Sequence, residues 1–480
     1  MTTTPDTSAL LQALVAAVGA AHVLTDTDVT AQFARDMQPL AEAGTPLAVV
    51  KPGSTAEVAA VISACAAHGV AIVPRGAGSG MTGAANAQNG AVTILSTRLN
   101  RIDAVNVDDG YVVVQPGAIT LDVMNAAKAA GMFYAPDPTS NSWCSIGGNL
   151  ANGSGGPCGS KYGVTGDAVL GLEVVLANGD ILNTSRQSIK GVTGYDLNRL
   201  FVGSEGTLGF ITQATLRLRR RRAAPWTAVA AFDSVDQAGR AVTAFIASGH
   251  SLPLLEVMDA ACFGAVEAHL GSQLLDDGAT PAAVLFAQSD SGTSAELDAF
   301  EQIATDNGAV LVYQTDDESE GEMLMGYWHG LEAALETLGT WILHEVTVPR
   351  HRLAELIHAA ADIGRQTQLF VGVHGHAQDG TVHPMIVFTP SESGSKERAA
   401  TAYALLLAAA RDLGGPVTGE HGIGRMKTDA LSEALGDVGL RVHRAIKLAL
   451  DPTLMFNPGS MFSMTPEAMP RETTHQKSEK

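Results

Sequence analysis

The chain has 480 residues, with 30 lysines and arginines against 50 aspartates and glutamates, a formal charge of −20. So acidic a balance excludes a nucleic-acid binder that works through a basic surface, and a 46% hydrophobic content excludes disorder of the whole chain. At roughly 150 residues per domain the length corresponds to two or three domains. The 51 glycines exceed the usual share of about 7% while aromatics make up only 5%, a composition suited to close approach of backbone to backbone or ligand. The four cysteines, Cys65, Cys144, Cys158 and Cys262, show no CxxC or paired spacing. Neither a disulfide scaffold nor a cysteine zinc site is indicated, and a reducing, cytoplasmic setting is expected. No window reaches about 18 uninterrupted apolar residues, so no membrane span is expected.

Residues 1–45 read as an N-terminal helical segment: the opening apolar stretch carries Asp6 and Gln12 and no preceding basic residue, the pattern of an amphipathic helix and not of a signal peptide. PLAVVKPG (46–53) reads as a strand ending in a Pro-Gly turn. Ser54 and Glu57 then form an S-x-x-E capping box before Val58, Val61, Ile62 and Cys65 at helical spacing. VAIVP (70–74) and AVTILS (91–96) flank the glycine cluster RGAGSGMTGA, a β-α-β unit with glycines after its second strand. YVVVQPG (111–117) is a further strand, and 120–131 a helix with Thr120 as N-cap and Gly131 as its stop. A second glycine-dense block (145–163) precedes strands within 168–182, where Asn178-Gly179 marks a hairpin turn, and 208–219 continues the β pattern.

RLRRRR (217–222), followed by Pro225, is read as the solvated end of a strand at a domain junction and not as a phosphate patch. The main boundary is placed near residue 223. Beyond it, 228–235 begins a β-then-α pattern, with helices expected near 236–248, 293–307, 350–364 and 395–413. The polar tail 463–480 lacks periodicity and is expected to be disordered.

Gly78-Ser-Gly80-Met-Thr-Gly83 satisfies G-x-G-x-x-G and has Asp103 twenty residues on. A dinucleotide-binding loop of the Rossmann kind needs a helix starting inside the motif, whereas 84–90 is short and ends in Asn-Gly before another strand. A loop whose N–H groups surround a diphosphate, and a structural cluster of turns, both stay open. The run 74–85, then PDPTSNSWCSIGGNLANGSGG (136–156), then GYDLNRLFVGSEGTLGFIT (194–212) resembles the FAD-binding domain of the p-cresol methylhydroxylase and vanillyl-alcohol oxidase superfamily. The resemblance is nearest to the FAD-linked D-2-hydroxyacid dehydrogenases: D-lactate dehydrogenase, the glycolate oxidase flavoprotein subunit and D-2-hydroxyglutarate dehydrogenase.

The resemblance implies an α+β fold: a FAD-binding domain over 46–222, a substrate cap with an antiparallel sheet over 223–444, and a segment 445–462 returning to the FAD domain. It implies that Pro74, Arg75, Gly76, Ala77, Gly78, Ser79, Gly80, Met81 and Gly83 wrap the FAD diphosphate, and that Pro138, Thr139, Gly147, Gly148, Asn149, Asn152 and Ser154 continue the cleft. Glu205, Gly206 and Ile211 would approach the adenine half, and Asn457 lies in the segment that returns to the flavin. Ser79 stands where members with covalent flavin have histidine, so FAD is expected to be non-covalent. Cys144 is read as a small packing residue.

VGVHGHAQDGTVHP (371–384) offers His374, His376, Asp379 and His383, and VTGEHGIGRMK (417–427) offers Glu420 and His421. On a strand, His374 and His376 share one face. Two imidazoles and a carboxylate can hold a divalent metal with positions left open for substrate. Carried over from the resemblance, His376, His383 and Glu420 are the ligands of zinc or manganese and His421 is the base. Asp379 either orients a ligating histidine or makes a turn before Gly380.

The chain departs from the family at Gln378, Thr381 and Met385. Leu331 stands where an arginine three residues after a tryptophan usually grips the substrate carboxylate, and the lysine used by the hydroxyglutarate enzymes is missing near Leu343. His329, His344 and Arg350 are candidate substitutes, and a more apolar or larger hydroxy acid, or a non-acid alcohol, is equally admissible. The resulting expectation is oxidation of a D-2-hydroxy acid, with electrons leaving to a quinone, cytochrome or electron-transfer flavoprotein; a homodimer is admissible. Two alternatives stay open: a non-redox FAD enzyme of the alkylglycerone-phosphate synthase type, and the flavin-binding subunit of a larger complex.

Overall fold

The computed structural model describes residues 7–186, 188, 190–220, 222–275 and 278–464. The expected tail lies outside these from residue 465 onward, as does Arg221 of the arginine run. Among the described residues no helix is long and apolar enough to cross a membrane.

The opening helix, Thr7–Val18, buries Leu10, Leu14 and Val18, a spacing of four that makes one stripe. That stripe meets the helix Thr55–Ala67, whose Val58, Val61, Ile62 and Cys65 are buried in the same core. Ser54 caps that helix, its Oγ accepting from the Glu57 N–H at 3.1 Å, while the Glu57 carboxylate accepts from Gly53 N–H and not from the cap itself. Beneath lies a four-stranded sheet of β1 (Val23–Leu24), β2 (Ala48–Val50), β3 (Ile72–Arg75) and β4 (Val92–Leu95), in the order β1-β2-β4-β3. β2, β4 and β3 run parallel, and β1 is antiparallel to β2. No helix follows Gly83; turns lead straight to β4, and Asp103 is paired with Arg101. The geometry of a Rossmann loop is therefore absent.

The next strands are β5 (Tyr111–Val114), β6 (Met132–Phe133), β7 (Val169–Val175), β8 (Ile181–Asn183) and β9 (Phe210–Arg217). They build an antiparallel sheet in the order β5-β9-β7-β8, while β6 pairs separately with β10 (Arg219–Arg220). The β7–β8 connection turns at Gly179, with φ +85°. One local expectation is corrected. Thr120 does not cap its helix: Ile119 holds that position, and the fully buried Thr120 hydroxyl instead accepts from Asn149 Nδ2 at 2.6 Å. Within the second glycine block Ser145 caps a helix, Ile146–Asn152, that ends at Gly153 in the left-handed region. The arginine run is also less solvated than expected. Arg222 pairs with Asp290 at 2.7 Å and lies over the Phe133 and Tyr162 rings at 4.3 and 4.6 Å.

The second half is organised by one antiparallel sheet of β11 (Trp226–Phe232), β12 (Leu254–Asp259), β13 (Ala283–Ser289), β14 (Ala309–Thr315), β15 (Thr340–Leu343), β16 (Val346–Thr347), β17 (Phe370–His376) and β18 (Thr381–Phe388). Its order is β14-β11-β13-β12-β17-β18-β15, with β16 also on β18. Helices Val235–Ala247, Ala295–Asp306, Leu353–Thr367 and Ser395–Asp412 cover one face and correspond to the four helices expected there. Alternation then decides what the other face carries. Leu255, Val257, Val373 and Ile386 enter the four-helix core, so Leu254, Glu256, Met258, His374, His376, His383 and Met385 point the opposite way. Helices Ala260–Leu270 and Glu318–His329 cover part of that second face.

The chain then crosses back. Helix Thr428–Leu450 sets Ile446 and Leu450 against the core of the β5–β9 sheet, and its Lys447 ammonium donates to Asp451, Thr207 O and Phe456 O. Met455 and Asn457 then bond the backbone of Ile72 from both sides, at 2.7 Å each, extending β3's sheet with the last residues of the fold. Phe456, 0% exposed, fills the core between the opening helices and this sheet. Phe456→Ala is expected to cost ~3–5 kcal/mol, read as a lowered urea midpoint of the first half's unfolding; an unchanged midpoint would mean that the returning segment does not hold this sheet.

Candidate functional site

Between the two halves lies a cavity of about 710 Å³. From the first half it is bordered by Pro74, Arg75, Gly76, Ala77, Gly78, Ser79, Gly80, Met81, Pro138, Thr139, Gly147, Gly148, Asn149, Asn152, Ser154, Glu205, Gly206 and Ile211; from the second, by His374, His376, His383, Glu420 and His421. Gly83 and Asn457 do not border it. Gly83 turns its N–H to the Asp36 carboxylate at 2.8 Å, and the Asn457 amide bridges Ala84 O and Glu205 O from behind the loop. The glycines are needed where the loop turns in on itself: Gly78 has φ +85°, and a Cβ there would collide with the Arg75 guanidinium. That guanidinium donates to Arg35 O and Ala85 O, so Arg75 braces the loop from inside. Cys144 is buried beside Thr120, and all four cysteines are free.

At the cap end of the cavity, cross-strand register assembles the donors. β17 and β18 place His374 opposite His383, and β12 places Glu256 opposite His376. His376 Nε2 lies 3.4 Å from His383 Nε2 and 3.4 Å from Glu420 Oε1, and His383 Nε2 lies 3.2 Å from the same oxygen. The other nitrogen of His376, Nδ1, is 2.9 Å from both Glu256 oxygens. Glu256 is thus the carboxylate that orients His376, and of the two roles open to Asp379 it takes the turn, accepting from Thr381 N–H at 2.9 Å. His421 Nε2 is 3.7 Å from Glu420 Oε1, and its Nδ1 has no partner.

Burial pushes His421 down to about 4, only partly offset by the Glu420 carboxylate, so its imidazole is neutral near pH 7 and able to accept a proton. Burial likewise lowers His376, but the Glu256 and Glu420 carboxylates outweigh it and raise the group well above the ordinary histidine range. The group thus attracts positive charge, which a proton on His376 supplies or a divalent cation among His376, His383 and Glu420 would supply. Gly155 makes room for the carboxylate: a Cβ there would come within 2.5 Å of Glu420 Oε2.

The loop bearing Glu420 and His421 is gripped from both sides. Glu345 accepts from Gly419 N–H and Thr418 Oγ1 at 2.6 Å each and pairs with the buried Lys427 at 3.0 Å. Glu205 accepts from the N–H groups of Ile423 and Gly424 at 2.6 and 2.7 Å, so its carboxylate is engaged by this loop although its residue borders the cavity. Asn152 donates to Glu420 O at 2.6 Å. Of the three candidates for the missing carboxylate grip, His329 alone borders the cavity; His344 is buried against Tyr403, and Arg350 is exposed on the turn before helix Leu353–Thr367.

Glu256, Gly155, Glu345 and Lys427 escaped sequence reasoning. A lone glutamate inside the apolar run LLEVMD was the one available signal for Glu256.

Burial raises the Glu345 carboxyl, but Lys427, His421 and the Thr418 and Gly419 donors outweigh this and hold it at about 2, against an ordinary 4.5. The ionised form therefore contributes stability above pH 4.5 that is lost as pH falls toward 2. Glu345→Gln, which leaves Lys427 buried without its counter-charge, is expected to destabilise by ~3–5 kcal/mol at pH 7. Urea denaturation should show the difference from wild type narrowing at pH 3; a gap independent of pH would contradict the assigned charge.

Residues 46–185 match the FAD binding domain family, and residues 222–461 the C-terminal domain of FAD linked oxidases. The glycolate oxidase subunit GlcD of Bacillus subtilis is 37% identical over 422 residues, covering 87% of this chain and 89% of that protein. A D-lactate dehydrogenase of Anaerostipes hadrus is 30% identical over 452 residues, covering 92% and 94%. The structure of p-cresol methylhydroxylase with substrate bound aligns with a TM-score of 0.76 at 20% identity, over 95% of this chain and 96% of that one. With both domain families matched and the fold of p-cresol methylhydroxylase around its cavity, the chain belongs to the FAD-linked oxidases and is an α+β flavoprotein.

Proposed function

We propose that the chain oxidises a D-2-hydroxy acid to the 2-oxo acid, passing the C2 hydride to non-covalently held FAD and the hydroxyl proton to His421. The observation that carries this reading is the convergence of His376, His383 and Glu420 within 4.8 Å, with a neutral imidazole beside them, at the cap end of the glycine-lined cavity. Relatives named as a glycolate oxidase subunit and a D-lactate dehydrogenase support the substrate class.

The residues present fit both groups. The loop at Gly78, Ser79 and Gly80 offers backbone N–H groups and side chains too small to block a dinucleotide, while the N–H groups that open the helix at Ile146 are already received by Ala118 O, Pro116 O and Ser145. Ser79, which borders the cavity, has no imidazole through which a flavin could be attached. For the metal, Glu256 fixes Nδ1 of His376 and leaves the Nε2 lone pair directed at the two other donors, the carboxylate–histidine arrangement of metal sites. Two imidazoles and one carboxylate suit zinc or manganese. When bound, FAD supplies a two-electron acceptor and the divalent ion a Lewis acid.

The chain's own contribution is orientation and proton transfer. His421 takes the hydroxyl proton at Nε2, the nitrogen facing Glu420, and burial keeps that nitrogen free to accept it. Glu345 and Glu205 fix the backbone on either side of it. A quinone, a cytochrome or an electron-transfer flavoprotein would receive the electrons. The word subunit in one relative's name supports a larger assembly as the setting, which co-purification would reveal.

Anaerobic reduction of the flavin, followed near 450 nm, tests the reading. His421→Ala should retain flavin yet slow reduction by 10²–10⁴-fold, about the usual contribution of a general base; an unaltered rate would remove His421 from the chemistry. Chelation should abolish turnover reversibly, and activity persisting in metal-stripped protein would refute the metal's role. Glu256→Gln should weaken zinc binding by about 10–100-fold in competition with a chromophoric chelator, whereas equal affinity would leave Glu256 a packing residue.

A further inference from the structure

The part of the cavity between the donors and the cap helices is mostly hydrocarbon. Leu254, Met325, Trp328, Leu331 and Leu343 border it, and Met385, 0% exposed, backs Leu343 in the same sheet register; Gln288, opposite Leu254, adds a neutral amide that donates to Thr227 Oγ1 at 3.2 Å. Trp328 meets the His374 ring edge-on at 5.0 Å, so this wall runs directly up to the imidazoles. Among the described residues bordering the cavity, Arg75 is the one lysine or arginine, and its guanidinium is spent on Arg35 O and Ala85 O. Apart from Glu420, the acidic side chain on the cap side is Glu332, which would repel a second anionic group. His329 carries no compensating charge, because burial lowers its imidazole below the ordinary range.

Resting on the reading above, we infer that the substrate is a monocarboxylic 2-hydroxy acid whose side chain is a hydrocarbon of several carbons, packed against Leu331, Leu343 and Trp328. A distal carboxylate or phosphate would be desolvated against this wall with no cation to receive it. A single carboxylate beside the reacting hydroxyl needs no such grip, because the cation that His376, His383 and Glu420 would hold supplies the positive charge there. A chain of methylenes, by contrast, gains from each apolar contact. The same wall offers nothing to the phosphate that a non-redox synthase of this fold would have to hold.

The experiment is anaerobic flavin reduction of the full-length protein loaded with FAD and zinc or manganese, with glycolate, D-lactate, D-2-hydroxybutyrate, D-2-hydroxyhexanoate, D-malate and D-2-hydroxyglutarate compared as reduction rate over apparent dissociation constant. The expected series rises by about fourfold per added methylene until the pocket is filled, with malate and 2-hydroxyglutarate below lactate. A maximum at glycolate or lactate, or efficient reduction by either dicarboxylate, overturns the inference while leaving the 2-hydroxy acid reading intact. Bleaching by none of the six overturns that reading and the inference with it. Leu331→Arg should reverse the preference, raising 2-hydroxyglutarate at least tenfold relative to 2-hydroxyhexanoate, and an unmoved ratio in folded, flavin-containing variant counts against Leu331 as the discriminating contact. Because Leu331 is 2% exposed and an arginine there can unfold the cap, the wild-type series decides the matter by itself.

Discussion

Two imidazoles and a carboxylate held 3.2–3.4 Å apart in a buried pocket repel one another unless a proton or a cation is shared among them. That condition governs the rest of the molecule. It demands a rigid sheet to fix two imidazoles, a second carboxylate to fix the tautomer of one of them, and a loop stiff enough to carry Glu420 against its natural tendency to turn toward water. Each demand is met by a different part of the chain. The sheet register sets His374 against His383 and Glu256 against His376; burial at 0% keeps Glu256 from exchanging its partner for solvent.

The loop is the more costly element. Its backbone N–H groups are received by two buried carboxylates from opposite halves, Glu345 and Glu205, and only the first has a lysine at contact distance. Removing carboxylates from water is expensive, and hydrogen bonds from fixed N–H groups offset that expense only while the geometry is kept. Glu205 shows the balance most plainly. Two backbone donors and Ser460 pull its carboxyl down, yet burial outweighs them and leaves it raised to about 6. The position of Glu420 and His421 is thus a property of the contact between the halves and not of either half alone.

The fold was legible wherever periodicity carries the information. Amphipathic spacing located the helix Ser395–Asp412 to within a residue, and the hairpin turn at Asn178-Gly179 follows from residue type alone. The histidines and Glu420 were legible through a spaced pattern shared with a known family. Glu256 was not, because nothing local links it to a histidine 120 residues away; only the register of β12 on β17 makes them neighbours. Thr120 misled because a good capping residue one position late in the helix is used more strongly by Asn149. Ser145 caps a helix although two glycines follow within it, because Gly147 answers to packing: a Cβ there would come within 2.5 Å of the Pro116 side chain. Gly83 lies in the glycine loop and Asn457 in the segment that returns to it, but which side of a loop faces a cavity is settled by distant packing against Asp36 and Glu205.

β3 stands at the outer edge of its sheet, and its exposed side is closed by Met455, Phe456 and Asn457. During synthesis about 380 residues emerge between Arg75 and the strand that covers this edge, roughly 20–75 s at ordinary elongation rates. Throughout that interval the strand leading into the glycine loop presents an unpaired row of backbone donors and acceptors, the kind of edge that recruits other chains. The nascent protein therefore cannot finish the sheet bearing the glycine loop until residues 455–457 have left the ribosome, and a chain ending before Met455 keeps every histidine of the site yet presents a sticky strand in place of a finished sheet.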